Sequence, residues 1–232
     1  MLIAQDAKEI IRKADEKMHG ESSFAEMKMT VIRPSWKREM TMKVWSRGED
    51  FSLILVTGPS RDKGISFLKR KREMWNWQPN IERVVKMPPS MMSQSWMGSD
   101  FTNDDLIRQS SIVSDYEHKL LGEEVLEGRS CYKIELIPKE NSDAVWGKVI
   151  VWIDKIDFLE LKLEFYDEDQ ELINTIFCKN IKTLGNRTIP SVMEMVPADG
   201  SGNRTIVEYL AAEFNQVLPD DVFSVQHMKK VK

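Results

Sequence analysis

The sequence is poor in the side chains that usually carry catalysis or hold a metal ion. Its three histidines, His19, His118 and His227, match no metal-binding motif such as H-E-x-x-H, and no G-x-S-x-G nucleophile elbow is present. The acidic residues between Asp100 and Asp105 lack the spacing of a calcium-binding loop. These absences predict a protein that is not an enzyme and that has no metal site and no cofactor.

Cysteine is almost absent, with only Cys131 and Cys178 in the chain. Two further predicted strands lie between the strands that carry them. In a simple meander this separates the two residues by roughly 14 Å at a strand spacing of about 4.8 Å. A disulfide requires Cα atoms within about 7 Å of each other. Although export would permit a disulfide, the spacing predicts two buried thiols.

Long apolar runs are also missing. No run approaches the roughly 18 residues that a membrane-spanning helix needs. Residues 1–6 have no basic region followed by an apolar stretch, as a signal peptide would have. Two interpretations therefore stay open: a cytosolic protein, or a secreted chain whose leader lies ahead of Leu2. The net charge of -4 predicts no bulk attraction to nucleic acid.

Hydrophobic periodicity predicts one helix followed by many strands. Residues 6–18 repeat apolar side chains at helical spacing, and Gly20 is a suitable stop. Alternating segments follow around 27–31, 40–44, 51–55, 63–70, 73–78, 116–124, 130–138, 146–154, 158–166, 172–182, 189–196 and 204–214. The predicted fold is mostly β (α+β), a curved antiparallel sheet that forms an incomplete barrel of about 11–12 strands. We expect one domain over 1–232.

The segment 79–111 interrupts this alternation. Pro88 and Pro89 stop a strand, residues 90–97 favour a short helix, and Thr102 or Asn103 is a suitable cap for another. We call residues 88–106 the lid segment. Its five large apolar side chains lie in a polar context that a small core would rarely need, and they predict a lid over an apolar cavity: Met91, Met92, Trp96, Met97 and Phe101. Asp104 and Asp105 are expected at a solvated helix start.

Methionine and tryptophan concentrate in the first half of the chain. Ten of 14 methionines lie between Met18 and Met97, and five of seven tryptophans share this half. Because methionine is flexible and polarisable, it suits surfaces that must fit variable apolar partners. Alternation on successive strands predicts that the cavity is lined by Met29, Met40, Met42, Trp45, Leu53, Leu55, Trp75 and Trp77. Ligand pockets usually exceed about 300 Å³.

Three stretches around the lid segment resemble the bacterial outer-membrane lipoprotein-sorting proteins, the LolA-like family. They are residues 74–79 (MWNWQP), 83–92 (RVVKMPPSMM) and 95–106 (SWMGSDFTNDDL). The closing residues 218–223 (LPDDVF) are similar to the C-terminal end of that family. The strand pattern agrees with the family over nearly the whole chain, so the resemblance implies one LolA-like domain with an incomplete barrel and a helical lid.

The resemblance also implies a function. It predicts a periplasmic protein, made with a signal peptide, that binds lipid acyl chains or lipoproteins and transfers them across the envelope. An efflux-type transporter of the inner membrane is the expected protein partner. The alternative is a lipid-responsive sensor or regulatory module of the envelope, because one fold can serve both purposes.

The basic run Lys69–Arg72 lies at a predicted hairpin. A solvated turn is the simplest interpretation, because no stacking platform or basic net charge supports nucleic-acid binding. A third interpretation is docking to anionic lipid headgroups or to an acidic transporter surface.

Overall fold

A computed structural model describes residues 6–107, 111–142 and 144–232. The strands are β1 (Ser22–Arg33), β2 (Trp36–Arg47), β3 (Phe51–Gly58), β4 (Ser66–Arg70), β5 (Glu73–Gln78), β6 (Arg83–Lys86), β7 (Tyr116–Leu126), β8 (Arg129–Pro138), β9 (Lys148–Asp154), β10 (Glu160–Tyr166), β11 (Leu172–Leu184), β12 (Arg187–Pro197) and β13 (Arg204–Phe214). The helices are α1 (Ala7–His19), α2 (Asn103–Ile107) and α3 (Val225–Met228).

All thirteen strands join one antiparallel sheet, in the order β6-β5-β4-β3-β2-β1-β13-β12-β11-β10-β9-β8-β7. In the described residues β6 and β7 are edge strands, so the curved sheet is not closed. The predicted mostly β fold with an incomplete barrel is confirmed. The count is thirteen rather than 11–12 because β6, four residues long and flanked by prolines 79 and 88, is too short to show alternation.

Helix α1 packs an apolar stripe against one face of this sheet. Ile10, Ile11 and Ala14 are fully buried, and the helix contacts β7, β9 and β12. Its end agrees with the prediction, because Gly20 caps it with a positive φ of 64°. We call the face that packs against α1 the inner face. It carries the main apolar core.

The opposite, outer face is buried in part by the C-terminal segment. Phe223 and Met228 are almost fully buried against Leu53 and Leu68. Ser66 donates a hydrogen bond of 2.7 Å from its hydroxyl to the carbonyl of Met228. Strands β3 and β4 therefore lie between two apolar layers, which explains why β3 is almost continuously buried.

The lid segment is less helical than the sequence indicates. Instead of a helix over 90–97, it has two single 3-10 turns, Pro89–Met91 and Trp96–Gly98, before α2. A helix cannot continue there because the backbone of Met97 is left-handed, with φ 49°. Thr102 is the cap of α2: its hydroxyl accepts a hydrogen bond from the amide of Asp105.

Candidate functional site

A cavity of about 220 Å³ lies on the inner face, between α1, α2 and the sheet. Its apolar wall comes from both halves of the sheet. It includes Ala25, Met27, Val44, Ile54, Val149, Leu163, Phe165, Ile176, Cys178, Met193, Val207, Tyr209, Ala212 and Phe214. Helix α1 contributes Met18, and the lid segment contributes Phe101 and Leu106. Such a largely apolar space suits a hydrocarbon chain.

The lid segment packs its apolar side chains inward. Met92, Trp96 and Phe101 are almost fully buried in the main core, and the ring of Trp96 lies 5.4 Å from that of Phe67. Met91 and Met97 are half-buried against the same core. Of the five predicted lid side chains, Phe101 lines the cavity directly. The other four contribute to the core around it.

The middle of the lid segment is held to the sheet by polar contacts. The carboxylate of Asp100 accepts hydrogen bonds from Arg33 on β1 (2.9 Å) and from the hydroxyl of Thr205 on β13 (2.6 Å). Arg38 on β2 donates to the carbonyl of Met97. Asp100 and Arg33 are only 8% and 15% exposed. These contacts come from the end of β1 and the beginnings of β2 and β13, and they tie the lid segment to the sheet.

A second contact holds α2 to Trp146, which lies just ahead of β9 in the other half of the sheet. One carboxylate oxygen of Asp105 accepts a hydrogen bond from the indole of Trp146 (3.0 Å), and the other accepts one from the amide of Thr102 (2.7 Å). Burial raises the pKa of Asp105 to about 6, although these hydrogen bonds oppose the shift. The prediction of a solvated helix start is wrong, since Asp104 is buried and Asp105 half-buried. Both line the cavity.

The cavity reaches the surface at the turn between β2 and β3. Gly48 and Glu49 are its only exposed lining residues among those described. The carboxylate of Glu49 accepts hydrogen bonds from the hydroxyls of Ser111 (2.5 Å) and Ser114 (3.3 Å), across from the turn. Lys69 donates to the backbone carbonyl of Glu49. We call this region the mouth.

The interpretation of the whole basic run as a solvated turn is wrong for its first residue, Lys69. It is only 4% exposed and lines the cavity, whereas Arg70, Lys71 and Arg72 are exposed. The separation follows from strand geometry, because Lys69 is the last inner-face residue of β4 before the turn.

None of the eight side chains predicted to line the cavity is among those that line it in this structure. Met29, Met40 and Met42 lie on the inner face and pack in the main core. Five lie on the outer face, which corrects their predicted orientation: Trp45, Leu53, Leu55, Trp75 and Trp77. Trp45, Leu53, Trp75 and Trp77 pack with the C-terminal segment around Phe223. Alternation places residues on one of two faces but does not say which face is inner.

The signal for the correct residues was present in part. Ala25 and Met27 share the face of Met29 on β1, and Val44 shares the face of Met42 on β2. On each strand, the cavity residue lies only two positions from the predicted one: Met27 from Met29, and Val44 from Met42. Its second wall, on β9 to β13, has ordinary Val, Ile and Phe side chains with no compositional signal.

His118 and Asp100 are held by hydrogen bonds within the fold. The ring of His118 bonds to the carbonyl of Ile112 (2.7 Å), while Asp100 is engaged by Arg33 and Thr205. Across residues 6–107, 111–142 and 144–232, no group of three His, Cys, Asp or Glu side chains is arranged to hold a metal ion. No helix within those ranges is long and apolar enough to cross a membrane.

Comparison with known proteins shows the family and the fold to which this chain belongs. A family model described as "-like: Uncharacterized protein" matches residues 48–230, which is most of the chain. The chain belongs to this family, and its fold is that of the LolA superfamily. The resemblance predicted from the lid segment is thereby confirmed. No curated protein matches the chain significantly.

Three solved structures share the LolA-like fold over nearly the full length. One is described as an outer membrane lipoprotein-sorting protein domain from Vibrio parahaemolyticus, with 24% identity, a TM-score of 0.85 and coverage of 97% of this chain and 98% of that one. A LolA superfamily protein from Nitrosomonas europaea has 24% identity, a TM-score of 0.84 and coverage of 97% and 100%. A DUF1329 family protein from Desulfovibrio piger has 22% identity, a TM-score of 0.86 and coverage of 96% and 97%. At these identities the likeness establishes the fold.

Proposed function

We propose that this protein is a periplasmic carrier that binds lipid acyl chains or lipoproteins and moves them across the envelope without catalysing a reaction. The observation that carries the proposal is the largely apolar cavity between α1, the lid segment and the inner face of a LolA-like sheet. The description of the Vibrio parahaemolyticus relative as a lipoprotein-sorting domain supports it. The single-domain assignment of 1–232 and an efflux-type transporter as partner belong to the same proposal.

The size of the cavity implies that binding requires movement. Its volume of about 220 Å³ is below the roughly 300 Å³ expected of a ligand pocket. Each CH₂ group removed from water contributes about 0.8 kcal/mol, so a long chain binds well only if most of it is covered. Displacement of the lid segment would add the space around Met92 and Trp96. The flexible side chains of Met18, Met27 and Met193 let the remaining wall adapt.

Two neighbouring alanines on β13 provide the test. Ala212 lines the cavity and is 5% exposed, whereas Ala211 is exposed. Ala212→Phe fills the cavity, so we expect it to lower the affinity for the neutral fluorescent probe N-phenylnaphthylamine at least about tenfold, the loss of one well-buried apolar contact. Ala211→Phe adds the same ring on the surface and should leave the affinity unchanged.

Thermal unfolding of both variants controls for damage to the fold, because an inserted ring in a packed site typically costs about 1–3 kcal/mol. A folded Ala212→Phe protein that binds the probe as tightly as the Ala211→Phe protein would contradict a role for this cavity. Equal loss in both variants would locate the probe elsewhere on the surface.

A further inference from the structure

Basic side chains are concentrated along the edge of the sheet that β4, β5 and β6 form. Six lysines and arginines but only two acidic residues lie between Lys69 and Lys86, in a chain whose net charge is -4. Lys69 faces inward and lines the cavity, whereas the other five are exposed. We call six exposed cations of these strands and of the residues after α3 the basic edge: Arg70, Lys71, Arg83, Lys86, Lys229 and Lys230.

The residues after α3 reach this edge because α3 packs against β4. The hydroxyl of Ser66, at the start of β4, donates to the carbonyl of Met228, the residue before Lys229. The ammonium of Lys229 then lies 5.8 Å from the centre of the Trp77 ring on β5. Cations from two distant parts of the chain therefore form one surface.

Apolar side chains are interleaved with these cations. Lys86 on β6 lies over the ring of Trp75 on β5 at 5.9 Å, and Trp75 is half-buried. Val85 on β6 is 44% exposed, and Ile81 in the turn before β6 is 61% exposed. Basic residues mixed with tryptophan and exposed aliphatic groups are typical of surfaces that lie at the interface between a membrane and water.

The carboxylates near this edge are fewer than the cations. Glu73 is ion-paired with Lys86, and Asp220 with Arg47. The other exposed carboxylates nearby are on the mouth turn, the β5–β6 turn and the segment before α3: Glu49, Asp50, Glu82 and Asp221. Five cations of the basic edge form no ion pair with any residue that the structure describes: Arg70, Lys71, Arg83, Lys229 and Lys230. The surface therefore keeps an excess of positive charge.

The basic edge lies beside the mouth of the cavity. Arg70, at the end of β4, is paired in register with Phe51 at the start of β3. The amide of Lys71 donates a hydrogen bond of 2.6 Å to the carbonyl of Asp50, which directly follows the mouth residue Glu49. A surface bound to the basic edge would therefore lie next to the opening of the cavity.

We infer that the basic edge binds the protein to a bilayer that contains anionic lipid, with the mouth beside the headgroups. The cations attract the lipid phosphates, and the interleaved apolar side chains enter the headgroup region. Of the two partners that the basic run suggests, a lipid surface is favoured over an acidic protein. The cations are spread along β4 and mixed with exposed apolar groups, which a flat interface accepts without a matching arrangement of charges.

This inference deepens the proposed carrier function and rests on it, because a carrier must reach the membrane that supplies or receives its ligand. The surface itself is separate from the cavity, since no member of the basic edge lines it. Membrane docking and ligand binding can therefore be measured independently on the same protein.

Vesicle flotation tests the docking on the unaltered protein. One set of vesicles contains phosphatidylcholine alone, and the other contains phosphatidylcholine and phosphatidylglycerol in equal amounts. At low ionic strength we expect binding to the anionic vesicles to be at least about tenfold tighter. High salt should remove most of this difference, because it screens charges at the surface.

A matched pair of double substitutions locates the contact. Lys71→Gln combined with Lys230→Gln removes two exposed charges from the basic edge. Each lysine near an anionic surface contributes about fivefold in affinity, so we expect a combined loss of at least about tenfold. Lys119→Gln combined with Lys182→Gln removes two exposed lysines from β7 and β11, in the other half of the sheet. Because screened charges act only over short distances, this control should bind anionic vesicles within about twofold of the unaltered protein.

Binding of N-phenylnaphthylamine, measured on the same proteins, separates the inference from the carrier function. Probe binding without any preference for anionic vesicles would overturn the docking and leave the carrier proposal intact. Vesicle binding that depends on Lys71 and Lys230, without probe binding, would support the docking and contradict the carrier proposal.

Two further outcomes would overturn the docking. Equal loss of vesicle binding in the two double variants would mean that net charge, and not the basic edge, governs the attraction. Binding of a polyglutamate peptide that depends on Lys71 and Lys230, with no vesicle binding, would assign the basic edge to an acidic protein. Thermal unfolding of both double variants shows whether a loss of binding arises from a loss of folded protein.

Discussion

At the scale of single residues, Asp105 shows most clearly how burial makes the stability of the fold depend on pH. Its carboxyl group is held by Trp146 and Thr102 beneath the lid segment, and burial raises its pKa from 3.8 to about 6. The folded state therefore binds a proton more tightly than the unfolded chain. By linkage, the contribution of Asp105 to the free energy of unfolding is greatest below its unfolded pKa and is lost as the pH rises through about 6.

Asp105→Asn should remove this pH dependence. At about two pKa units and 1.36 kcal/mol per unit, the stability of the variant relative to the natural protein should rise by at most about 3 kcal/mol between about pH 4 and pH 8. Urea unfolding at both pH values measures the difference. Asp199→Asn is the control, because a hydrogen bond from Ser201 lowers the pKa of that exposed carboxyl group. If the free energy of unfolding of Asp105→Asn differs from that of the natural protein by the same amount at both pH values, the pKa of Asp105 is not raised in the folded state.

At the scale of elements, the lid segment is joined to the sheet by few polar contacts. Thr205, which is fully buried on β13, both donates to the carboxylate of Asp100 and accepts from its amide (3.1 Å). Lids that move are drawn from the less stable parts of a fold, and their stability is set by such contacts. The lid role itself stays a prediction, and these contacts are where it can be tested.

Thr205→Val keeps the shape of the side chain and removes both hydrogen bonds. Each is worth about 1 kcal/mol, so we expect amide hydrogen exchange over residues 96–102 to accelerate at least about tenfold. Thr183→Val is the matched control, since it removes the hydroxyl contact to Thr188 at the exposed end of β11. Hydrogen-exchange mass spectrometry compares the two. Equal acceleration across the whole sheet in Thr205→Val would mean that the lid segment opens only when the protein unfolds.

The outer layer over β3 to β5 is the other element-scale feature. The apolar side chains of β3 and β5 look like a cavity wall in the sequence, yet the C-terminal segment covers them. Arg47 reinforces this layer, since it donates to the carbonyl of Leu218 (2.8 Å) and pairs with Asp220. The resemblance identified residues 218–223 as a family feature, but only the packing of Phe223 on Phe51 indicates what they do.

At the scale of the whole molecule, the sheet topology decides the state of the thiols. Strands β9 and β10 separate Cys131 from Cys178, as the spacing predicts. The two residues also lie in apolar clusters on opposite faces of the sheet. Both are free and buried, which confirms that prediction, and burial raises the pKa of each thiol. Oxidation should therefore not join them, even in an oxidising compartment.

The carrier proposal makes a matching prediction for the protein in its own host. We expect it in the periplasmic fraction, with both thiols reduced and with one lipid-sized ligand bound per chain. Native mass spectrometry of protein recovered from that fraction measures the ligand, and thiol titration after unfolding in the absence of reductant counts the cysteines. Recovery from the cytosol, or a mass equal to that of the bare chain in every preparation, would contradict the proposal.

The sequence by itself determined helix α1, nearly every strand and the family resemblance. Period-2 alternation and turn residues act locally, so β1 to β5 and β7 to β13 could be located without tertiary information. The cap at Thr102 and the stop at Gly20 were readable for the same reason. Only β6 was missed, because a four-residue edge strand is shorter than the pattern that would reveal it.

The tertiary structure alone decided which face of each strand looks into the cavity. Trp45 and Val44 are neighbours in the chain, and alternation separates them without saying which is inside. That choice depends on α1 covering one face and the C-terminal segment covering the other, contacts between residues far apart in sequence. The same holds for Lys69, whose charge reads as part of a solvated turn until its pairing with Ser52 puts it on the inner face.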